Sequence, residues 1–292
     1  MNTKCAPGKK YDDGSCLTKN DLKNIIREYN LQKPSNPVKI IEDKRYLLNG
    51  VNTIMQNDYK CKDNDQVCWI ESKLIKYNPK DDINLIANET FRPTGPNGKK
   101  EWLSTSDIDN VMLQYEAIHT DFKFFGAVPY DFDALPELEI HSVDFNKLVK
   151  EGKTKIGLVI NLDTHDKKGS HWVALYADLL KNQIYYFDSF KKKPGKRLTK
   201  TIKKILNFMY CRINNTNTVL TNDLCRQIIN SKSNQYHIRY NKKQHQFKNS
   251  ECGVYSMNFI IRLLKGESFN SIEDDIMKDD SMNSCRKVYF RN

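Results

Sequence analysis

This sequence of 292 residues contains no apolar stretch long enough to cross a membrane. The longest mainly apolar stretches, Ile156–Leu162 and Phe259–Leu264, fall far short of the roughly 18–20 residues that a transmembrane helix requires. No apolar run follows the charged residues near the N-terminus, so we do not expect a secretory signal peptide. Internal repeats and low-complexity tracts are also absent. These absences argue against a membrane-spanning or secreted protein and favour an intracellular one.

Cysteine pairs with metal-binding spacing are absent too. None of the eight cysteines forms a Cys-x-x-Cys pair, so a compact zinc site lacks its usual ligands. The cysteines are also spread too thinly for a disulfide scaffold. Cys5 and Cys16, and likewise Cys61 and Cys68, could pair in space, but buried apolar thiols explain them equally well. We therefore predict reduced thiols in a reducing compartment.

The composition is that of a folded protein with an excess of positive charge. Hydrophobic residues make up 39% of the chain and charged residues 28%, which argues against intrinsic disorder. Lys and Arg outnumber Asp and Glu by 47 to 36, giving a net charge of +11. Such a balance favours anionic partners, either nucleic acid or acidic protein, although a solvated lysine-rich surface would give the same composition.

The first part of the chain has a helical pattern. Thr18 has the character of an N-cap, and apolar residues at helical spacing follow it. Two further helical patterns lie around Ile41–Gln56 and Gln66–Ile75. The stretch Arg92–Lys100 is rich in Gly and Pro and is typical of a linker. We therefore predict a helical N-terminal arm over residues 1–95.

The remaining residues, 96–292, have the pattern of an α+β catalytic domain. A helix is expected over Ser104–Tyr115, and further helices over Thr199–Tyr210 and Cys252–Leu264. Ile156–Leu162 is a nearly continuous aliphatic run, typical of a strand buried on both faces. The predicted strands are Phe122–Val128, Ile156–Leu162, His171–Tyr176, Ile184–Phe190 and Tyr236–Tyr240. The third and fourth are close enough in sequence to form an antiparallel hairpin.

This hairpin carries a histidine and an aspartate to the same open end of the sheet. His171 begins its first strand and Asp188 lies near the end of its second. Antiparallel pairing brings these two positions within a few residues of register. A carboxylate placed in this way would fix the histidine tautomer during nucleophilic catalysis. The alternative is a surface histidine beside an unrelated aspartate.

A cysteine opens the most apolar helix of the chain. Cys252 lies in its first turn, where the partial positive charge of a helix N-terminus favours thiolate over thiol. Gly253 leaves the neighbouring backbone open to a substrate carbonyl. Gln246, six residues earlier, offers an amide N–H that could stabilise an oxyanion. A core cysteine and a solvated glutamine are the alternatives, and His245 is a rival base without an obvious carboxylate partner.

Together these residues resemble the ubiquitin-like-protein protease family, the clan of cysteine peptidases that includes the SUMO and adenovirus proteases. Members read His-Trp, then Asp-Ser one hairpin later, then Gln-x5-Cys-Gly at the start of a central helix. The chain has these elements in that order, as His171-Trp172, Asp188-Ser189, Gln246 and Cys252-Gly253. Papain-type enzymes have the cysteine first. The resemblance covers about residues 100–292 and includes a Trp-Leu-x4-Ile helix start at Trp102.

The resemblance implies the fold and the chemistry. It implies an adenain-like, permuted papain-like core with a central mixed sheet flanked by helices. It makes the chain a thiol endopeptidase with Cys252 as nucleophile, His171 as general base and then acid, Asp188 as its orienter and Gln246 as oxyanion donor. No metal or organic cofactor is implied.

The same resemblance implies how a substrate is held. Trp172 and Trp102 match aromatic residues that form a narrow tunnel over a Gly-Gly segment in family members. A flat ring above the chain admits only residues without a Cβ, so such a tunnel selects glycine. Gly253 would line the same site. Trp102 could instead be a buried core residue.

Two features resemble the branch of the family found in large DNA viruses. Members of that branch carry an extra N-terminal arm, and the Lys-, Asn- and Ile-rich composition suits an AT-rich genome. The resemblance then implies cleavage of viral core or capsid precursors after motifs such as Gly-Gly or Gly-Ala during virion maturation, in the virion or the host cytoplasm. The alternative within enzymes is an isopeptidase acting on SUMO or ubiquitin-like conjugates of the host.

A basic segment near Asp188 suggests a further partner. Residues 181–204 contain nine basic residues and one acidic residue. The part from Lys191 to Lys204 could hold nucleic acid weakly and in a salt-sensitive way, although a solvated face explains it equally well. A basic, nucleic-acid-associated structural protein with a vestigial site is therefore a second alternative. The intact set of site residues argues against it.

Overall fold

A computed structural model describes residues 4–72, 74, 83–96, 100–230 and 235–291, and for residues 83–86 it describes the backbone alone. The chain divides into two compact units. One contains the residues up to Thr94 together with those from Tyr289 onward, and the other is Gly95–Val288. None of the helices in these described residues has the length and apolar character needed to span a bilayer.

The N-terminal unit is helical, as the sequence predicts. Thr18 caps the first helix, since its hydroxyl accepts the Asp21 N–H while the Asp21 carboxylate accepts the Thr18 N–H. The predicted third helix ends at Glu71, and Ile75 lies outside the described residues. Apolar faces of the helices pack around the fully buried Trp69. The helices are α1 (Lys19–Gln32), α2 (Lys44–Tyr59), α3 (Gln66–Glu71) and α4 (Ile83–Thr90).

Four cysteines of this unit form disulfides. Cys5 is joined to Cys16 and Cys61 to Cys68, with Cα–Cα distances of 5.1 and 5.8 Å. The prediction of reduced thiols is therefore wrong for these four residues. A reverse turn over residues 11–15 folds the chain back between the first pair, and the turn from α2 into α3 brings the second pair together. Spacing along the sequence does not reveal such turns.

The second unit is built on a mixed five-stranded sheet. The strands are β1 (Phe122–Val128), β2 (Lys155–Asn161), β3 (Trp172–Asp178), β4 (Gln183–Phe187) and β5 (His237–Tyr240), and they lie in this order across the sheet. The pairs β1–β2 and β4–β5 are parallel, while β2–β3 and β3–β4 are antiparallel. The predicted α+β class, mixed sheet and β3–β4 hairpin are confirmed.

Helices flank the sheet, and several short ones were not predicted. The α-helices of this part of the chain are α5 (Thr105–Ile118), α6 (Phe145–Lys150), α7 (Lys196–Asn214), α8 (Asn222–Asn230), α9 (Cys252–Leu264), α10 (Phe269–Asp274), α11 (Asp279–Ser284) and α12 (Arg286–Tyr289). Two 3-10 helices lie at Phe132–Ala134 and Glu139–Ser142. The helices predicted in this unit correspond to α5, α7 and α9, and the bounds of α9 are the predicted ones.

Helix α9 packs against the middle of the sheet, as its apolar sequence predicts. The Phe259 ring stacks on Phe187 of β4 at 4.8 Å between centroids. Gly157 of β2 permits close packing, because a Cβ there would come within 2.7 Å of the Phe122 ring and 3.4 Å of Ile260. This packing holds the start of α9 near the edge of the sheet where β3 begins and β4 ends.

Candidate active site

His171 and Asp188 meet at the open end of the β3–β4 hairpin. His171 immediately precedes β3 and Asp188 immediately follows β4, in a register that pairs Ala174 with Phe187. The Nε2 atom of His171 lies 2.8 Å from Oδ1 of Asp188, and both residues are buried. The antiparallel register therefore produces the predicted histidine–carboxylate contact.

The Asp188 carboxylate is held from several sides. Its Oδ1 also accepts the Phe190 backbone N–H at 2.7 Å. Asn241, which follows β5, binds the Asp188 main chain twice: its Oδ1 accepts the Asp188 N–H at 2.9 Å, and its Nδ2 donates to the Asp188 carbonyl at 2.8 Å. These bonds fix the carboxylate against the imidazole, and sequence reasoning missed Asn241.

Cys252 is the first residue of α9 and is buried beside His171. Burial alone would lower the pKa of His171, but hydrogen bonds with Asp188 and Cys252 outweigh it and raise the pKa to about 9. Because Nε2 faces Asp188, Nδ1 is the ring nitrogen left for the thiol. The Phe190 ring packs on the imidazole at 4.9 Å between centroids. A histidine with this pKa is protonated at neutral pH and can pair with a thiolate.

Gln246 is buried and tied to the segment that carries Asp188. Its backbone N–H donates to the Ser189 carbonyl at 2.9 Å, and its side-chain Oε1 accepts the Ser189 hydroxyl at 2.6 Å. Its Nε2 donates to the Lys248 carbonyl at 2.5 Å. A primary amide carries two N–H donors, so one of them remains after this bond.

The tryptophans predicted to bind substrate have different environments. Trp172 is buried and its indole N–H donates to the Leu103 carbonyl at 3.0 Å, whereas Trp102 is 46% exposed. Trp102 is therefore not the buried core indole that was its alternative. Gly253 lies under the same segment, since a Cβ there would come within 3.2 Å of Leu103 and 3.3 Å of Trp172. Gly253 thus has a packing reason to lack a side chain.

His245 differs from His171 in its surroundings. Its ring lies edge-on to the rings of Phe187 and Tyr255, and burial lowers its pKa. Its Nε2 has no hydrogen-bond partner among the described residues. An imidazole in such a site is neutral and lacks a carboxylate to orient it, which disfavours it as the catalytic base.

A buried ion pair beside Cys252 was also missed by sequence reasoning. Glu251 precedes the helix, and its Oε2 lies 3.1 Å from Nε of Arg286. The Arg286 guanidinium also donates to the carbonyls of Glu101 and Ser250 at 2.6 and 3.3 Å. These contacts join the chain before Trp102 to the chain before Cys252. The two charges are far apart in sequence, and no local pattern links them.

Comparisons with known proteins relate this chain to cysteine proteases. Residues 153–291 match the Ulp1 protease family, C-terminal catalytic domain. A protein of Acanthamoeba polyphaga mimivirus, named as a thiol protease, is 35% identical over 307 aligned residues, covering 99% of this chain and 93% of that protein. A cysteine protease of African swine fever virus is 23% identical, covering 72% of this chain and 75% of the relative.

The fold is also found in a solved structure. The crystal structure of the African swine fever virus protease superposes with a TM-score of 0.66 at 21% identity, covering 100% of this chain and 96% of that one. The adenain-like core predicted from the motifs is therefore confirmed, as is the resemblance to the viral branch. With 35% identity along almost the full length of a thiol protease, the chain belongs to the Ulp1 protease family and is a cysteine endopeptidase.

Proposed function

We propose that Cys252, His171 and Asp188 form the catalytic triad and that Gln246 is the oxyanion donor. The contact of His171 with both Cys252 and Asp188 carries this proposal, because it supplies a nucleophile, a base and an orienting carboxylate in one chain of hydrogen bonds.

The reaction is acyl transfer. The Cys252 thiolate attacks the scissile carbonyl, and the oxyanion is held by the free Gln246 amide N–H and the Cys252 backbone N–H, which as a helix N-terminus has no intrahelical partner. The His171 imidazolium protonates the leaving amine, and the acyl group remains on sulfur as a thioester. His171 then takes a proton from water, which attacks the thioester, releases the acid and restores the Cys252 thiolate beside the His171 imidazolium.

We propose that the substrate is cut after a small-residue motif of the Gly-Gly or Gly-Ala type. Trp102 is exposed and available to a substrate chain, and the buried Trp172 is bound to the carbonyl of Leu103, the residue that follows Trp102. Aromatic rings over an extended chain exclude a Cβ and so favour glycine. We propose processing of viral core or capsid precursors during virion maturation as the biological role, because the relatives named as thiol and cysteine proteases are viral.

A SUMO or ubiquitin-like isopeptidase is the second candidate. Some African swine fever virus relatives are named SUMO-1 cysteine proteases, which favours a ubiquitin-like substrate. Such a substrate needs an open docking face, whereas cleavage of a precursor needs an extended groove. The two candidates share the same chemistry at Cys252 and differ in what is recognised around it.

One experiment separates these candidates. The wild type and Cys252→Ala are incubated with Gly-Gly-X and Gly-Ala-X peptides and with a SUMO or ubiquitin precursor, and products are identified by mass spectrometry. Cleavage of the peptides by the wild type alone supports a maturation protease. Cleavage of the precursor alone supports a deconjugating enzyme. Equal cleavage by Cys252→Ala would contradict the mechanism.

We assign residues 1–95 to the N-terminal arm and 96–292 to the catalytic domain.

We also propose that the basic segment near Asp188 binds nucleic acid weakly. Lys192 and Lys193 are exposed within this segment. A Lys192→Glu/Lys193→Glu variant should weaken binding to single-stranded DNA and flatten its salt dependence. The charge-matched Lys9→Glu/Lys10→Glu variant is the control. Equal losses of DNA binding in the two variants would show that net charge alone accounts for the effect.

A further inference from the structure

Ser189 contacts Gln246 through both its main chain and its side chain. It is buried, and its carbonyl accepts the backbone N–H groups of both His245 and Gln246 at 2.9 Å. Its hydroxyl donates to Oε1 of Gln246 at 2.6 Å. One residue thus holds both the main chain and the side chain of the proposed oxyanion donor. We propose that Ser189 is a positioning residue that holds the Gln246 amide in the orientation in which its nitrogen end can reach the substrate.

The orientation matters because the two ends of an amide have opposite chemistry. The nitrogen end donates hydrogen bonds and would stabilise an oxyanion, whereas the oxygen end accepts them and would repel it. The two ends have nearly the same shape, so packing alone discriminates poorly between them. Hydrogen-bond partners of defined polarity are needed to select one orientation.

The Lys248 carbonyl supplies this polarity, and the Ser189 hydroxyl, which can donate or accept, holds the other end of the amide. The Lys248 carbonyl can only accept, so the nitrogen end must face it. The oxygen end then faces Ser189, whose hydroxyl donates to it. With Oε1 satisfied and one N–H bound to Lys248, the second N–H is the group left to bind an oxyanion. Rotating the amide by half a turn would oppose two carbonyl oxygens at Lys248 and would break the bond from the Ser189 hydroxyl to Oε1.

Ser189 also links the two halves of the site. It follows Asp188 directly, and the Asp188 main chain is fixed by Asn241. The loop after β4 therefore carries the residue that orients His171 and the residue that orients Gln246. Displacement of this loop would disturb proton transfer and oxyanion binding together.

A double-mutant cycle tests the proposal, which rests on the proposed oxyanion role of Gln246. Kinetics of peptide cleavage are measured for the wild type, Ser189→Ala, Gln246→Ala and the double variant. We expect Ser189→Ala to lower kcat about tenfold with little change in KM, as for loss of one hydrogen bond that matters in the transition state. In the Gln246→Ala background the same substitution should cost nothing further.

A second readout separates positioning from general damage. Alkylation of Cys252 by iodoacetamide forms no oxyanion, so its rate should be the same in Ser189→Ala as in the wild type. Ser189→Cys, with a weaker donor of similar shape, should give a kcat between those of the wild type and Ser189→Ala. This variant keeps the test usable if Ser189→Ala does not fold.

The outcomes distinguish the positioning role of Ser189 from the oxyanion role of Gln246. An unchanged kcat in Ser189→Ala, a further tenfold loss in the Gln246→Ala background, or a matching fall in alkylation would each overturn the positioning role and leave the oxyanion role of Gln246 standing. An unchanged kcat in Gln246→Ala would instead overturn the oxyanion role itself.

Discussion

The two units of this protein use cysteine in opposite ways. In the N-terminal unit, Cys5–Cys16 and Cys61–Cys68 are disulfides in a helical core. In the sheet-based unit, the cysteines are free thiols, namely Cys211, Cys225, Cys252 and Cys285. The sequence marks the first two pairs as possible partners but does not show that they cross-link. Local turns therefore decide whether cysteines cross-link, and neighbouring side chains decide whether a free thiol can react.

The free thiols differ among themselves in their neighbouring side chains. Burial raises the pKa of Cys225, and nearby Lys203 offsets this in part. Burial also raises the pKa of Cys285. Cys252 is as buried as Cys225, but it hydrogen-bonds to His171, and Asp188 stabilises the charge on that imidazole. A base and its carboxylate, rather than exposure, set Cys252 apart.

The largest effect should come from removing this thiol. Cys252→Ala should abolish peptide cleavage, because the proposed thioester forms on the Cys252 sulfur beside His171. Cys225→Ala removes a buried thiol of the same unit and should leave kcat close to the wild-type value. Steady-state kinetics on a Gly-Gly-X peptide measures both. Loss of activity in both variants would point to packing rather than to a nucleophile at Cys252.

Removing the base or its orienter should come next. His171→Ala should lose nearly all activity, and Asp188→Asn should lose on the order of 10⁴ in kcat, as when a triad carboxylate becomes an amide. The histidine on β5, His237, is remote from this hydrogen-bond chain, and His237→Ala is the matched control. A wild-type kcat in Asp188→Asn would contradict the role of the carboxylate.

The pH dependence provides a separate test of the same pair. The pKa of His171 is raised to about 9, above the ordinary value of about 6.5, so the imidazolium persists through neutral pH. Its contribution to stability is fully present below about pH 6.5 and is lost as the pH rises through about 9. Activity should fall on the alkaline side near pH 9, since the leaving amine needs that proton. In Asp188→Asn the alkaline limb should move to lower pH.

Gln246 should have a smaller effect than the triad. Gln246→Ala should lower kcat by roughly 10²–10³, the usual effect of removing one oxyanion donor, with KM little changed. Gln227→Ala, on the exposed side of α8, is the matched control. A change confined to KM would place Gln246 in substrate binding instead.

Sequence patterns predicted the helix and strands that carry the site better than the side chains that hold the site in place. The apolar run of α9 and the hairpin strands bury continuous faces, so their periodicity is strong and places Cys252, His171 and Asp188 correctly along the chain. Asn241 and the Glu251–Arg286 pair act over long sequence separations, and their geometry depends on the finished fold. The short C-terminal helices have too few residues for a periodic signal. A turn marker such as Asp13-Gly14 does not by itself show that the flanking thiols cross-link.

Removing the disulfides should have the smallest effect on catalysis, and it tests what cross-linking contributes to the N-terminal unit. Replacing Cys5 and Cys61 with serine should destabilise the N-terminal unit by about 2–4 kcal/mol for each cross-link lost, because the unfolded chain regains freedom. Hydrogen exchange should then speed up in α1 and α2 while β2–β4 keep their protection. Cys211→Ser, a free cysteine in the other unit, should leave exchange in α1 unchanged. If exchange in α1 is unaltered after loss of both disulfides, helix packing alone stabilises this unit. If exchange also becomes faster in β2–β4, the two units unfold together.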